Sequence, residues 1–342
     1  MSIRAYIRYY EVFLPKKVLL NSDIVSLNPT WSSESIFNKI GIEQRHIAGE
    51  NESTTDMAIE AINKLFFSQT IIKKEDIDFI IFCTQTPDFE IPTNACFLQH
   101  AVGLRSDIGA YDYNLGCSGF VYGLSMAKGF IETRQARNIL LVTSEAYSKR
   151  IHISDYKNMS LFGDASTATI ISADKGGVAD LSGEILSFKF GTDGSNYDKL
   201  IHFSSGICIN EKKKKYNISY NESNFGDDHL YMDGSAIFNF TLSAIPGLIE
   251  QTLDKNNIYA QEIDLYIMHQ ANQFMLEAIR KKAKLPQEKF YISMKKVGNT
   301  VSSTIPIALK SAIEEKKIKR GSKVLLAGFG VGLSMAGCVI SF

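Results

Sequence analysis

Apolar residues occur along this chain in short uninterrupted runs, and two of these runs follow a polar turn. Residues 79–83 (Phe-Ile-Ile-Phe-Cys) and residues 265–268 (Leu-Tyr-Ile-Met) are the clearest examples. Four or five apolar residues without alternation are typical of strands that are buried on both faces, as in parallel sheets. The pattern therefore predicts a buried parallel strand at each place.

These strands belong to an internal repeat. The turn residue Ile77 corresponds to Ile263, an offset of 263 − 77 = 186, and Ile139 in another apolar run corresponds to Val324, an offset of 324 − 139 = 185. Between the paired runs, residues 121–130 and 305–313 carry apolar side chains at helical spacing. Strands alternating with helices in two equivalent sets predict an α/β fold built from two tandem halves.

The two halves are expected to divide at Gly176 and Gly177, where the periodicity breaks. This division gives an N-terminal half over residues 1–176 and a C-terminal half over residues 177–342. Residues 191–228 are polar and rich in Asn, Ser and Lys. We expect a long insertion loop there, suited to a lid or a docking surface.

Charge and hydropathy narrow the classes of partner. The 342 residues include 37 basic and 37 acidic side chains, and this net charge of zero gives no electrostatic footprint for nucleic acid. The one dense basic run, residues 212–215, is either a solvated loop or a docking site for an acidic carrier protein. No stretch reaches the roughly 18 apolar residues that a membrane span needs, and the first ten residues do not resemble a signal peptide.

The five cysteines are scattered, and none forms a Cys-x-x-Cys pair. This spacing argues against a disulfide framework and against a zinc site. We therefore expect a cytoplasmic protein that needs no metal or redox cofactor, in which a free cysteine can act as a nucleophile.

Three polar residues are expected at strand or helix ends, where ligands collect in α/β sheets. Cys117 directly precedes the first predicted helix, where the macrodipole and free N–H groups lower the pKa of a thiol. His269 follows the strand at residues 265–268 and can point into a crevice, and Asn299 opens the second predicted helix. The simpler interpretations are a small buried cysteine, a structural histidine and a helix-capping asparagine.

A glycine-rich turn at residues 328–333 follows the last predicted strand, and its backbone N–H groups could form an oxyanion hole. Together these motifs resemble β-ketoacyl-acyl-carrier-protein synthase III, a condensing enzyme of the thiolase superfamily. The matching segments, in order, are residues 41–48, 114–120, 162–164, 269–272, 298–300 and the glycine-rich turn. The resemblance implies a five-layered α-β-α-β-α thiolase-like fold from two duplicated halves, and a homodimer.

The resemblance also implies a reaction in two steps. Cys117 would take an acyl group from an acyl-CoA or acyl-carrier-protein thioester, while backbone N–H groups of Cys117 and Val331 hold the oxyanion. Malonyl-carrier protein would then lose carbon dioxide, and the resulting enolate would attack the acyl group. His269, through Nε2–H, and the Asn299 amide would donate hydrogen bonds to the thioester oxygen.

Several positions expected to contact substrate depart from the family pattern. The family's tryptophan that stacks on the coenzyme A adenine is Ser35 here, and Trp31, four residues earlier, could replace it. Lys39 and Tyr156 stand where two nucleotide-contacting arginines are usual, and Phe274 stands where a carrier-docking arginine is usual. These changes predict poor use of acetyl-CoA and an altered mode of carrier docking.

Two further positions concern the acyl group. Phe162 opens one of the matching segments and is expected to contact substrate. Ile91 aligns with an aromatic gate that reaches into the partner subunit's acyl pocket in the family. A smaller residue there predicts a primer longer or bulkier than acetyl.

Three functions fit these residues. The leading interpretation is carbon–carbon bond formation in a specialised acyl pathway. The first alternative is an acyltransferase of the same fold that passes the acyl group from Cys117 to an oxygen or nitrogen acceptor, and the second is a non-catalytic scaffold subunit. The presence of both His269 and Asn299 beside the cysteine favours condensation.

Overall fold

The computed structural model of the protein describes residues 3–177, 181–206 and 225–342. Ten strands of this part of the chain form one mixed sheet: β1 (Tyr6–Phe13), β4 (Phe79–Cys83), β5 (Gly109–Tyr113), β6 (Asn138–Glu145), β7 (Ala165–Ser172), β8 (Gly183–Thr192), β11 (Leu265–Met268), β12 (Phe290–Tyr291), β13 (Lys323–Gly330) and β14 (Ser334–Ser341). Two small antiparallel sheets of two strands each complete the strands, formed by β2 (Lys17–Leu20) with β3 (Gln44–Ile47) and by β9 (Leu200–Ile201) with β10 (Tyr231–Met232).

The strand order of the large sheet repeats in its two halves. The order is β12-β11-β13-β14-β8-β1-β7-β6-β4-β5. If the five large strands of each half are numbered in chain order, both halves have the order first, fifth, fourth, second, third, from the middle of the sheet outward. The halves join at β1 and β8, where Tyr6 pairs with Glu184 and Ile7 with Gly183. In both halves the second strand is parallel to its two neighbours, as the apolar runs predict.

The helices pack on the sheet in three layers. Their bounds in the described residues are α1 (Asn21–Leu27), α2 (Ser33–Ile40), α3 (Thr54–Ser68), α4 (Asn94–Ala101), α5 (Gly119–Glu132), α6 (Tyr156–Leu161), α7 (Gly234–Asn256), α8 (Gln273–Lys282) and α9 (Thr304–Glu314). None of them is both long enough and apolar enough to span a bilayer.

Helices α5 and α9 form the central layer. The apolar residues of α5 recur at a spacing of three or four, and together with those of α9 they pack against strands of both halves in one buried cluster. Helices α3 and α4 cover the outer face of the N-terminal half, and α7 and α8 cover that of the C-terminal half. The arrangement is the five-layered α-β-α-β-α fold that the resemblance implies.

The structure also corrects several local predictions. The glycine-rich turn does not follow the last strand, because β14 comes after it and pairs antiparallel with β13. Asn299 does not open α9, which begins at Thr304 after a 3₁₀ turn over Val301–Ser303. Of the predicted insertion, residues 191–206 contain the end of β8, two 3₁₀ turns and β9. Residues 207–224, with the basic run at 212–215, lie outside the described part of the chain.

Candidate active site

Cys117 lies in a tight turn between β5 and α5. The turn is closed by the Gly119 N–H, which donates to the Gly116 carbonyl oxygen at 2.7 Å, and the helix begins two residues after the cysteine. Cys117 itself is only 5% exposed. The sequence of a strand, a short glycine-containing turn and a helix therefore places the thiol at the carboxyl edge of the sheet, as predicted.

Strand β13 passes so close to Cys117 that only glycine fits at two of its positions. A Cβ atom on Gly330 would lie 2.9 Å from both Cβ and Sγ of Cys117, and one on Gly328 would lie 2.9 Å from the Cys117 carbonyl oxygen. The next backbone N–H group, that of Val331, faces the sulfur closely enough to lower the pKa of the thiol, as does the N–H of Cys117 itself. The close approach of the two backbones therefore brings two N–H groups, those of Val331 and Cys117, to the same atom.

The pKa of Cys117 differs from the expectation drawn from its position before a helix. Burial is the largest influence and raises the pKa of this thiol to about 12, against the smaller lowering effect of the Val331 and Cys117 N–H groups. The buried Glu145 carboxyl raises it further. A helix N-terminus stabilises a thiolate, but removal from water costs a charged group more. Cys117 is thus a neutral thiol near pH 7.

His269 directly follows β11 and is held by contacts on both its backbone and its ring. Its N–H donates to the Ala327 carbonyl oxygen at 2.8 Å, and its Nδ1 lies 2.8 Å from Thr304 Oγ1. Burial lowers the pKa of this imidazole to about 3, so it is neutral near pH 7. The ring also makes an edge-to-face contact with Phe329, with 5.6 Å between centroids.

The Thr304 hydroxyl determines which ring nitrogen of His269 carries the proton. The hydroxyl donates to the Val301 carbonyl oxygen at 2.9 Å. Its oxygen can then only accept from Nδ1–H, which leaves Nε2 as a proton acceptor. Donation from Nε2–H, the role implied by the family resemblance, requires the hydroxyl to turn and donate to Nδ1 instead.

Asn299 has its amide fixed by a backbone contact. The Val301 N–H donates to Asn299 Oδ1 at 3.0 Å, so the Nδ2 group is the end left for a ligand. The backbone of Asn299 also bridges to the segment of Phe162, with its N–H donating to the Leu161 carbonyl oxygen at 2.9 Å. The side chain is therefore a preorganised hydrogen-bond donor.

Cys117, His269 and Asn299 meet in one narrow cavity of about 80 Å³, which Phe162 also lines. A wider cleft of about 780 Å³ lies outside it, and the two share lining residues: Met232, Gly234, Asn272 and Met275. A thin, elongated group could reach the thiol from the surface by this route.

The predicted substrate residues occupy three places. Lys39 and Phe274 line the outer cleft. Trp31 and Tyr156 contact each other edge-to-face, with ring centroids 6.4 Å apart. Ile91 is 91% exposed and lines neither the cavity nor the outer cleft of its own chain.

The sequence did not reveal a buried carboxyl group close to the nucleophile. Glu145, at the end of β6, is fully buried and accepts hydrogen bonds from the Gln85 N–H at 3.0 Å and Ser302 Oγ at 2.8 Å. Burial raises the pKa of this carboxyl to about 8. The sequence signal that could have identified Glu145 is its position, because it is an acidic residue at the end of a run of strand residues. Within the described residues, no group of three or more His, Cys, Asp or Glu is placed to hold a metal ion.

Comparison with known proteins gives one family for both halves of the chain. Residues 111–194 match the family described as 3-Oxoacyl-[acyl-carrier-protein (ACP)] synthase III, and residues 253–342 match its C-terminal counterpart. A beta-ketoacyl-[acyl-carrier-protein] synthase III from Caldanaerobacter subterraneus subsp. tengcongensis is 34% identical over 330 residues, covering 96% of this chain and 95% of that protein.

Solved structures agree with this result. A crystal structure of a 3-oxoacyl-(acyl-carrier-protein) synthase III is 41% identical, with a TM-score of 0.91 over 99% of this chain and 100% of that chain. A 3-oxoacyl-(acyl-carrier protein) synthase from Burkholderia xenovorans LB400 is 31% identical, with a TM-score of 0.89 over 99% and 94%. The similarity thus extends over nearly the whole length of the chain.

Proposed function

Because the chain belongs to the 3-oxoacyl-[acyl-carrier-protein] synthase III family, we propose that it loads an acyl group from a thioester onto Cys117 and condenses it with malonyl-carrier protein. The observation that carries this proposal is the convergence of Cys117, His269 and Asn299 on one buried cavity. The synthase III from Caldanaerobacter subterraneus subsp. tengcongensis aligns with 96% of this chain, which supports the same proposal. The residues proposed for catalysis are these three, with Val331 contributing its backbone N–H.

The first half-reaction uses the neutral pair of thiol and imidazole. His269 Nε2 accepts the thiol proton as Cys117 Sγ attacks the thioester carbonyl, and the backbone N–H groups of Cys117 and Val331 receive the developing oxyanion. When the tetrahedral intermediate collapses, the leaving thiolate takes the proton back from Nε2. The products are an acyl-enzyme and a free thiol, with no net proton change.

The second half-reaction needs hydrogen-bond donors. Loss of carbon dioxide from the malonyl thioester leaves an enolate whose oxygen must be stabilised. Asn299 Nδ2 is already oriented as a donor. His269 becomes one in its other neutral tautomer, in which the proton is on Nε2 instead of Nδ1 and the Thr304 hydroxyl has turned to donate to Nδ1. The enolate carbon then attacks the acyl carbon and the bond from that carbon to Cys117 Sγ breaks. The departing thiolate takes one proton from solvent, which restores the neutral thiol. A fixed amide donor is more than ester or amide formation requires, so this geometry favours condensation.

We also propose that the narrow cavity takes a pantetheine arm from the outer cleft. Lys39 and Phe274 line that cleft, and the Trp31–Tyr156 pair offers aromatic faces for a nucleotide base. Lys39 keeps the positive charge of the usual arginine without its bidentate geometry. These features support a thioester donor that is held less tightly through its nucleotide than is usual in the family.

The proposed assembly is a cytoplasmic homodimer. Ile91 is 91% exposed, and Phe89 and Phe97, which contact each other edge-to-face, are 43% and 38% exposed. Such apolar exposure is typical of a protein–protein interface. In the dimer Ile91 would reach the partner's acyl site, where its small size leaves room for primers of four to eight carbons. Equal or better turnover with acetyl than with these primers would contradict that assignment.

Intact-protein mass spectrometry tests the proposed function directly. The protein is mixed with acyl-CoA and acyl-carrier-protein thioesters, and malonyl-carrier protein is then added. We expect a mass increase on Cys117 that malonyl-carrier protein discharges with release of carbon dioxide, and no increase in Cys117→Ala. An adduct that malonyl-carrier protein never discharges would instead support transfer to an oxygen or nitrogen acceptor. No adduct from any donor would support a scaffold role.

A further inference from the structure

A chain of polar side chains lies beside the nucleophile and has no role in the reaction described above. The Tyr147 hydroxyl donates to Gln85 Oε1 at 2.5 Å, and Gln85 Nε2 donates to Asn114 Oδ1 at 3.0 Å. Tyr147 is only 4% exposed, so its hydroxyl is held in the interior by this contact. We name these three residues the polar triad.

The polar triad lies near Cys117 but outside the cavity that His269 and Asn299 line. A Cβ atom on Gly116, the residue before the nucleophile, would lie 2.3 Å from Gln85 Oε1. The Tyr147 ring packs against Phe162, with 5.1 Å between centroids. None of the triad is among the residues that line the cavity with His269 and Asn299.

The geometry of acyl transfer determines which part of the substrate should lie on this side of Cys117. Three groups surround the carbon attacked by Cys117 Sγ: the oxyanion, the leaving thiolate and the acyl chain. The oxyanion belongs at the Val331 N–H, and the leaving thiolate belongs in the cavity that opens to the outer cleft. The acyl chain is left with the remaining side of the sulfur. Gln85 Oε1 lies against Gly116, the residue before the nucleophile, and Tyr147 packs in the same buried cluster as Cys117, so both are near that side.

The hydrogen-bonding capacity of the triad is only partly used. After the two bonds described, Gln85 Nε2 keeps one N–H, Asn114 Nδ2 keeps two, and the Tyr147 oxygen keeps its lone pairs. A saturated acyl chain would cover these groups without replacing their contacts with water, which is unfavourable. An acyl chain carrying an oxygen could accept from the free N–H groups.

We propose, on the basis of the proposed function, that the polar triad selects a primer acyl group bearing a hydrogen-bond-accepting oxygen, such as a 3-hydroxyacyl or 3-oxoacyl group, over the saturated chain of equal length. Sites that hydrogen-bond a substrate hydroxyl reject the analogue lacking it more strongly than apolar pockets distinguish chains by one methylene. The triad thus acts on primer specificity and takes no part in bond making.

The test compares matched thioesters: 3-hydroxybutyryl-CoA with butyryl-CoA, and 3-hydroxyhexanoyl-CoA with hexanoyl-CoA. The measured quantity is kcat/KM for acylation of Cys117, and rapid-quench mass spectrometry monitors the acylation. We expect the hydroxylated member to be preferred by about tenfold or more in at least one pair. Tyr147→Phe and Gln85→Met, which remove hydrogen bonds with little change in volume, should bring that ratio to parity or below.

Tyr291→Phe is the matched control, because it also removes a tyrosine hydroxyl, one that contacts Glu315 away from the cavity. The ratio should not change in this variant. Acylation of the wild-type protein with no preference, or with a preference for both saturated chains, would overturn the inference and leave the proposed function intact. A preference that survives both triad variants would also overturn it. If no thioester acylates Cys117, the proposed function fails and this inference with it.

Discussion

At the scale of single residues, the candidate site depends on how closely backbone and side chains pack around the thiol. Gly330 has a φ of 153°, and its missing side chain leaves the space that Cys117 Cβ and Sγ occupy. Gly129, within α5, has no atom within 4 Å of the position its Cβ would take, apart from its chain neighbours and the backbone of its own helix. The two glycines therefore differ in whether an added methyl group can be accommodated.

We expect Gly330→Ala to lower acylation of Cys117 by at least about 100-fold, because a methyl group 2.9 Å from Sγ displaces the nucleophile. Gly129→Ala should leave acylation unchanged and raise stability by about 0.5–1 kcal/mol, as expected for alanine in a helix interior. Rapid-quench acylation assays and urea unfolding measure the two effects. Near-normal acylation in Gly330→Ala would show that β13 can move away from the cysteine.

Glu145 gives a second prediction at this scale, because its carboxyl has a pKa of about 8 in the folded protein. An unfolded glutamate has a pKa of about 4.3, so between these two values the native state binds a proton that the unfolded state does not. Stability from this group is therefore greatest below pH 4.3 and falls as the pH rises to 8, by about 5 kcal/mol at most.

Glu145→Gln should remove this pH dependence. The new Oε1 can accept from the Gln85 N–H, and the new Nε2 can donate to Ser302 Oγ, so both contacts survive. We expect the wild-type protein to lose several kcal/mol of stability relative to the variant between pH 5 and pH 8.5. Urea unfolding at both pH values measures the difference, and parallel profiles would contradict it.

At the scale of elements, Asp112 of β5 joins a strand to the start of a helix. Its carboxylate accepts from the Asn94 N–H at 2.5 Å and from the Ala95 N–H at 2.6 Å, which are the first two residues of α4. A negative charge at this end of a helix satisfies free N–H groups and complements the macrodipole. Helix α4 directly follows the segment that carries Ile91, so this contact also anchors that segment.

Asp112→Asn should lower stability by about 1–2 kcal/mol, because the amide loses the charge and places an NH₂ group against one helix N–H. Asp107→Asn, at a side chain that is 73% exposed and forms a surface ion pair with Arg105, should change it by less than about 1 kcal/mol. Urea unfolding compares the two variants. Equal effects would mean that the contacts of Asp112 contribute no more than a surface ion pair.

The sequence predicted secondary-structure elements well where the local amino-acid composition alone determines them. Residues 79–83 and 265–268 coincide with β4 and β11, since strands buried on both faces contain little except apolar residues. It did not predict β7, all of whose residues are buried although four of its eight are Ser or Thr. Three of those hydroxyls, on Ser166, Thr167 and Ser172, bond to residues of β6, as in the 2.7 Å contact of Thr143 and Thr167.

The same distinction holds for the site. The motifs predicted that Cys117, His269 and Asn299 act together, and the structure brings them to one cavity. Gln85 and Tyr147 were not predicted because they are 62 residues apart and neither lies in a motif. The direction of the Cys117 pKa was wrong because burial, which no local sequence pattern measures, outweighs the lowering effect of the Val331 and Cys117 backbone N–H groups.

At the scale of the whole molecule, the two halves share their interior. Within the described residues the sheet joins them through two residue pairs between β1 and β8, whereas α5 and α9 contribute to one buried cluster with strands from both halves. Separating the halves would expose this layer of apolar side chains to water. The nucleophile comes from the N-terminal half and the other two proposed catalytic residues from the C-terminal half, so the site also depends on this contact.

We therefore expect residues 1–176 and 177–342 to unfold as one cooperative unit. Native-state hydrogen exchange should give peptides from β6 and β13 the same free energy of opening, because neither strand can lose its central layer alone. Urea unfolding followed by the fluorescence of Trp31, which lies in the N-terminal half, and by far-UV circular dichroism should give coincident transitions. Earlier exchange in either strand would show that its half opens independently, and acylation would then be lost before the bulk of the secondary structure.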